Sequence, residues 1–384
     1  MKILALTSIR SEYDLMSFVY RKLADDIDID FRLLVGGCHN SPSFGLTVDD
    51  IKRDGFNILC QIESLIDSDS SASRLKSASV LLLSSIDIVK AFSPDLIIYA
   101  GDREDVMVGA LLGGYLGIPT VHFFGGDHAC DGHIDNPIRH AVSKLSTCHF
   151  VSLNEHKQRL LKMGEPANRI FNIGSVALDK YREIPAGEGV LSSIADGEVR
   201  KSAAIFIFHP VEDEMDKLHL IVSGVIDELL ENQYHVFVGL PNSDHGNSCV
   251  RKSLLQYSSH PDISFYGNLP REKFVQLMKA SSLIIGNSSA GILEAASIPI
   301  PCINIGARQR GRLASENVIF IDAELTELKS AIKKVRDDVF LGKINAISNP
   351  YGSGNASERA VSLIKSIDFT VMHKKCEDPL HVGE

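Results

Sequence analysis

The densest run of groups able to do chemistry lies between Ile97 and His140, IIYAGDREDVMVGALLGGYLGIPTVHFFGGDHACDGHIDNPIRH. It holds Asp102, Arg103, Asp127, His128, His133, Asp135, Arg139 and His140. Two carboxylates in one site raise the pKa of one of them, which yields an acid and a base side by side. Asp102 with Asp127, or Asp102 with Asp135, would form such a pair. Asp127, His128, Cys130, Asp131, His133 and Asp135 fall within nine positions. That spacing alone admits a metal centre; the other reading is a polar active-site loop without a metal. Gly125 and Gly126 ahead of Asp127 favour close backbone approach to a ligand.

A second constellation follows the apolar run Leu283–Gly286, where Asn287-Ser288-Ser289-Ala290-Gly291 opens a helix expected to reach Ala296. The first N–H groups of a helix lack internal partners and carry the positive end of its dipole. With the hydroxyls of Ser288 and Ser289 they suit a phosphate or diphosphate. Glu294, about one and a half turns on, could accept two ribose hydroxyls. The plainer alternative is an ordinary serine cap with a solvated glutamate. His209 follows five apolar residues and precedes a proline, with Glu212 and Asp213 beyond. It projects from a strand end, either as an acid/base group or as a core histidine. Arg10 stands where a first strand gives way to a helix, to meet an anion or to pair with Glu12.

Strands and helices that alternate along the whole chain would carry these groups. Lys2–Ser8, Asp28–Gly36, Phe56–Ile62, Asp95–Ala100, Pro119–Phe124, Cys148–Ser152 and Ile170–Ile173 have the apolar content of buried strands. Helices fall between them, one from about Ser11, a plausible N-cap, to Ala24, others at Leu75–Phe92, Val106–Tyr115 and Pro137–Leu145. Ser64–Ser73 is dense in serine and aspartate and is expected to be a mobile loop. Thr47 opens a helix, with Asp50 at capping-box spacing. The second half repeats the alternation from Ala203 to Ile321. This pattern implies α/β architecture with parallel sheets covered on both faces. Pro185–Arg200, rich in glycine and poor in core residues, marks a boundary. The expected domains are 1–182, completed by a helix at 356–368, and 183–355, with 369–384 as a flexible tail.

The 384 residues suit two domains, and 44% hydrophobic with 23% charged residues is a globular composition. A net charge of −10 argues against nucleic acid as the main partner. It leaves room for a nucleotide. No run of about 18 apolar residues occurs, so no membrane partner is expected. Seven cysteines with no CxxC pair and no export signal point to free thiols and a cytoplasmic location.

Together these pieces resemble the hydrolysing UDP-N-acetylglucosamine 2-epimerases, on the branch feeding bacterial sialic- or legionaminic-type acid synthesis. The resemblance is carried by Ser8–Tyr13, Phe44–Thr47, Gly101–Arg103, Gly125–Asp127, Ile134–His140, His209–Val211, Gly286–Glu294 and Asn304–Arg312, in family order. It implies a GT-B fold: two Rossmann-like, doubly wound parallel-sheet domains with the active site in the cleft between them. It implies catalytic roles for Asp102, Asp135 and His209, with Arg103 and Arg139 beside them. It implies a nucleotide held by Ser288, Ser289, Glu294 and Arg10, with Asn242 and Asp244 in a loop near it. The branch often carries Glu or His where this chain has Phe124, and Asp127 is then the group to take the acid/base role. The loop from Asp127 to Ile134 is also longer than usual, by about two residues.

The reaction so implied has no cofactor and no metal. A carboxylate takes the C2 proton of a UDP-linked 2-acetamido sugar, UDP leaves C1, and water adds to the glycal while C2 is reprotonated from the opposite face. UDP-N-acetylglucosamine is the first substrate to consider and UDP-N,N′-diacetylbacillosamine the second. Gly37–Thr47 and the Phe123-Phe124 pair are expected to choose between them. A GT-B glycosyltransferase using a UDP-sugar, or a nucleotide-sugar binding protein, are the alternatives. A homodimer or homotetramer is the family expectation.

Overall fold

The structure is a computed structural model that describes residues 1–381 except Asp69, 130–133, 242–246 and Asn268. It forms two compact units. One is built on Met1–His128, Gly132–Asp179 and Gly354–Glu384, the other on Ala129–Asp131 and Lys180–Ser353.

The first unit holds seven parallel strands: β1 (Lys2–Thr7), β2 (Asp30–Val35), β3 (Ile58–Gln61), β4 (Leu96–Ala100), β5 (Thr120–Phe123), β6 (Cys148–Val151) and β7 (Ile170–Asn172), in the order β3-β2-β1-β4-β5-β6-β7. Their apolar runs are needed because both faces are covered. Successive side chains serve opposite cores. Ile3, Ala5, Ile98 and Ala100 pack on one face, and Leu4, Leu6, Ile97 and Tyr99 on the other. Each buried Leu, Ile or Phe contributes about 1.5–3 kcal/mol.

The second unit repeats the plan with six parallel strands: β8 (Ser202–Ile207), β9 (Tyr234–Gly239), β10 (Ile263–Tyr266), β11 (Leu283–Gly286), β12 (Cys302–Ile305) and β13 (Val318–Ile321), ordered β10-β9-β8-β11-β12-β13. Ala204 and Phe206 face one core, Ala203 and Ile205 the other. In both sheets the order of winding reverses beside the first strand, between β1 and β4 and between β8 and β11. Open α/β sheets bind ligands at the carboxyl ends of strands flanking such a reversal.

Several local expectations changed. The first helix is Arg10–Ala24, with Ile9 rather than Ser11 at the cap position. Thr47 does not cap Val48–Arg53 with its side chain. Its hydroxyl is 2.7 Å from Nδ1 of the fully buried His39, whose Nε2 lies 3.0 Å from the Thr7 hydroxyl. Burial pushes the His39 imidazole down to about 4, so it is a neutral tie inside the core. The serine-rich stretch ends in order: the Ser70 hydroxyl caps Ser73 N–H at 3.1 Å and starts a helix, Ser71–Phe92, four residues before the expected Leu75.

Part of the tail expected to be flexible, from Met372 to Glu377, is anchored. Arg169 pairs with Glu377 at 2.8 Å and donates to the carbonyls of Met372 and Lys374. Lys375 reaches the buried carboxylate of Glu165 at 2.5 Å. Asp179, fully buried, accepts from the N–H groups of Ala356 and Ser357 at 3.1 and 2.7 Å. It thereby caps the helix Ala356–Ser366 across 177 residues of sequence. No helix among the described residues is long and apolar enough to cross a membrane.

Candidate active site

In the first unit the reversal brings together the ends of β1 and β4. Arg10 opens the helix after β1, and Gly101-Asp102-Arg103 forms the turn after β4. Asp127 follows β5, and Asp135 and Arg139 lie one turn apart on the helix Asp135–Leu145. Arg139 joins them. Its side chain is 7% exposed, it is ion-paired with Asp102, and it meets Asp127 at 2.8 Å. His156 Nε2 approaches the other Asp127 oxygen at 3.3 Å. Asp135 meets Arg74 at 3.5 Å, and Arg74 is held by Glu104 through contacts of 3.0 and 2.5 Å. The hydrogen bond to Glu104 pushes the Arg74 guanidinium further up, so it stays charged. Asp102 and Asp127 are thus joined through Arg139, while Asp135, one turn away on the same helix, is held separately by Arg74, a partner that sequence reasoning missed.

Two further features position this network. His122, fully buried on β5, lies 2.8 Å from the Gly101 carbonyl and 3.1 Å from the Ser143 hydroxyl. Burial holds its imidazole down at about 3, so it ties the Asp102 turn to the Arg139 helix without carrying charge. Phe124 has φ +63, a left-handed backbone that a bulky side chain adopts only under strain. Such strain costs on the order of 1–3 kcal/mol and clusters at functional sites. The next turn needs Gly126, φ +75, because a Cβ there would lie 2.4 Å from the His156 carbonyl. Phe123 is 1% exposed and packs edge-to-face on Phe150 at 5.1 Å. It therefore belongs to the core and lines no ligand wall; of the expected aromatic pair only the half-buried Phe124 remains.

Asp105 was not singled out from the sequence, and Glu12 only as a pairing partner for Arg10. Burial first, and repulsion by Asp105 second, push the Glu12 carboxyl well up. Burial and then Glu104 push Asp105 up to about 6, against the pull of Arg103. A free aspartate loses its proton near pH ~4. Between about pH 4 and 6 the folded chain therefore holds more protons here than the unfolded chain, and this group's contribution falls as pH rises. Asp105→Asn is expected to raise Tm at pH 7.5 by a few degrees and to leave it unchanged near pH 4, as thermal denaturation across that range will show.

In the second unit, β8 leads to His209 and β11 leads to the Asn287 turn. Asn287 is fully buried, and its side-chain amide joins the two strand ends. Its Oδ1 accepts from His209 N–H and its Nδ2 donates to the His209 carbonyl, both at 2.7 Å. Gly286, φ +131, admits no side chain, since a Cβ would fall 2.0 Å from the Ile207 carbonyl oxygen of β8. The Asn287 carbonyl accepts from Arg308 at 3.1 Å and Gln309 at 3.3 Å. Ser288 and Ser289 follow at the turn, where the Ser288 hydroxyl accepts from Ala290 N–H at 3.3 Å. The helix expected to reach Ala296 is shorter, Ala290–Leu293, and continues as a 3-10 turn at Ala295–Ser297. Glu294 is not a solvated glutamate: its side chain is 11% exposed and meets Lys180 at 2.9 Å. Asn242 and Asp244 lie outside the described residues, as do Cys130, Asp131 and His133.

Two Rossmann-like units, each with polar groups at its winding reversal, define a GT-B protein. One such solved structure is the UDP-GlcNAc 2-epimerase from Neisseria meningitidis bound to UDP-GlcNAc. It matches with TM-score 0.82 over 96% of this chain and 100% of that one, at 17% identity. Residues 21–365 match the family described as UDP-N-acetylglucosamine 2-epimerase. A UDP-N,N'-diacetylbacillosamine 2-epimerase (hydrolyzing) of Legionella pneumophila is 34% identical over 95% of this chain and 96% of its own length. A GDP/UDP-N,N'-diacetylbacillosamine 2-epimerase (hydrolyzing) of Campylobacter jejuni is 32% identical, covering 88% of each. The chain belongs to the UDP-N-acetylglucosamine 2-epimerase family.

Proposed function

We propose that this enzyme is a hydrolysing 2-epimerase of a UDP-linked 2-acetamido sugar, serving nonulosonic acid synthesis. The observation that carries the reading is the Arg139 network, which gathers Asp102 and Asp127 with Asp135 one helical turn away. A carboxylate, Asp127 or Asp102, removes the C2 proton. The C–H electron pair forms the C1–C2 double bond, and the C1–O bond breaks with its electrons on UDP. Ser288, Ser289, Arg10 and the loop of Asn242 and Asp244 hold the nucleotide phosphates and uridine, and Glu294 accepts the ribose hydroxyls. Water then adds at C1. Asp135, with His209, supplies the proton to C2 from the opposite face. Arg103 and Arg139 hold the carboxylates in place. Each acid/base group contributes about 10²–10⁴-fold.

UDP-N,N′-diacetylbacillosamine is the substrate favoured here over UDP-N-acetylglucosamine. Two relatives carry that sugar in their names. Phe124 stands where the branch often has Glu or His, and an apolar ring suits a 6-methyl group better than a hydroxyl in need of a partner. The test is turnover in heavy water with both sugars. The expected product is a free 2-epimer with one deuterium at C2, formed together with UDP and without any acceptor. A product without that deuterium rules out the mechanism, and release of UDP only when an acceptor is added would mean a glycosyltransferase.

A further inference from the structure

Glu294 follows the four-residue helix Ala290–Leu293 and is buried, so its carboxylate needs partners within the protein. Two side chains far away in sequence supply them. Tyr181 donates its hydroxyl to Oε2, and Lys180 meets the same oxygen at 2.9 Å. Tyr181 is 5% exposed and packs in the same core as Ala290, Met278 and Cys302, which sets the direction of its hydroxyl. Lys180 is 6% exposed, with its ammonium 5.3 Å from the Tyr181 ring centre and 5.8 Å from that of Phe274. Aromatic faces attract a cation placed this way. An ammonium so buried is unfavourable unless paired, so the lysine is bound to the carboxylate as firmly as the carboxylate is to it. Both contacts fall on Oε2.

We propose that Lys180 and Tyr181 are positioning residues that aim Glu294 at the ribose diol of the nucleotide. The inference rests on the reading above, in which Glu294 accepts the ribose hydroxyls. A carboxylate accepts from both hydroxyls of a vicinal diol only when it is held within hydrogen-bond reach of both. The lysine pairs with the Glu294 carboxylate and the tyrosine stops its rotation. Charge-assisted hydrogen bonds of this kind are the strong ones. They make the site discriminate between a nucleotide with the diol and one without it.

The experiment is calorimetric titration of the full chain with UDP and with 2′,3′-dideoxy-UDP, alongside Tm. Wild type is expected to prefer UDP by at least about 30-fold, the scale of two hydrogen bonds to a charged group. Lys180→Met is expected to reduce that preference below about 3-fold, by weakening UDP while leaving dideoxy-UDP within about 3-fold of wild type. Tyr181→Phe, which keeps the packing and removes only the hydroxyl, is expected to fall between the two. A merely structural role would lower Tm and weaken both nucleotides equally, and an unchanged preference in both variants overturns the proposal. Wild type that binds UDP without preference would show that Glu294 does not meet the ribose, and the proposal fails there. Wild type that does not bind UDP at all would overturn the functional reading itself.

Discussion

Arg139→Met is expected to cut the rate of UDP release about 10³-fold and to lower Tm. The guanidinium is buried and pairs with Asp102 and Asp127, which arrive from different strand ends. Without it two carboxylates face each other with no cation between them. Breaking a buried pair by removing one partner costs about 3–5 kcal/mol. Both carboxylates are proposed acid/base groups, so the loss falls on kcat rather than on KM, at the scale of one misplaced proton-transfer group. Arg139→Lys is expected to rescue little. A planar fork reaches two carboxylates at once, and a single ammonium does not. Steady-state kinetics of both variants, with thermal denaturation, will separate the effects. An Arg139→Met enzyme with wild-type kcat would show that the placement of Asp102 and Asp127 is irrelevant to the chemistry.

Glu165→Ala is expected to be the most destabilising substitution, by about 3–5 kcal/mol. Its side chain is fully buried. It accepts from His149 at 2.7 Å and pairs with Lys144 at 2.8 Å and Lys375 at 2.5 Å. Removal leaves two lysines and an imidazole around a cavity, and it detaches the tail through Lys375. A loss of this size corresponds to roughly 6–20 °C in Tm for a unit of about 200 residues. Burial opposes the charge on Glu165, but His149 and the lysines overcome it and hold its carboxyl at about 2. A free glutamate ionises near pH ~4.3. The unfolded chain therefore binds the extra proton between about pH 4 and 2. This stabilisation is complete above pH 4 and is lost as pH falls through 2. Wild type and Glu165→Gln are expected to converge in stability toward pH 2, measured by chemical denaturation.

The fold was legible because parallel strands buried on both faces appear as unbroken apolar runs, and turns at strand ends need glycine. Leu96–Ala100 and Leu283–Gly286 are both of that kind. The candidate residues were legible as types at strand ends. Their partnerships were not. Arg139 reaches Asp102 across 37 positions, Asn287 reaches His209 across 78, and Tyr181 reaches Glu294 across 113. No local period encodes such pairs, since they depend on how the sheets wind. Arg74 escaped notice because it borders a serine-rich stretch with the composition of a loop. Glu12 and Asp105 look like ordinary first-turn carboxylates until burial reveals their cost. Phe123 and Phe124 look equivalent in sequence, and only the strand's alternation separates the core ring from the strained one.

Asp179 caps a helix that begins at Ala356, so the first unit closes on itself where the long segment 180–353 departs and returns. Residues 180–353 are therefore an insert in a host whose own strands, cores and C-terminal helix are complete without it. The hydrophobic clusters obey the same division, each drawing its members from one unit alone. Two units with separate cores can change at different speeds. Core mutations in one unit need no matching changes in the core of the other.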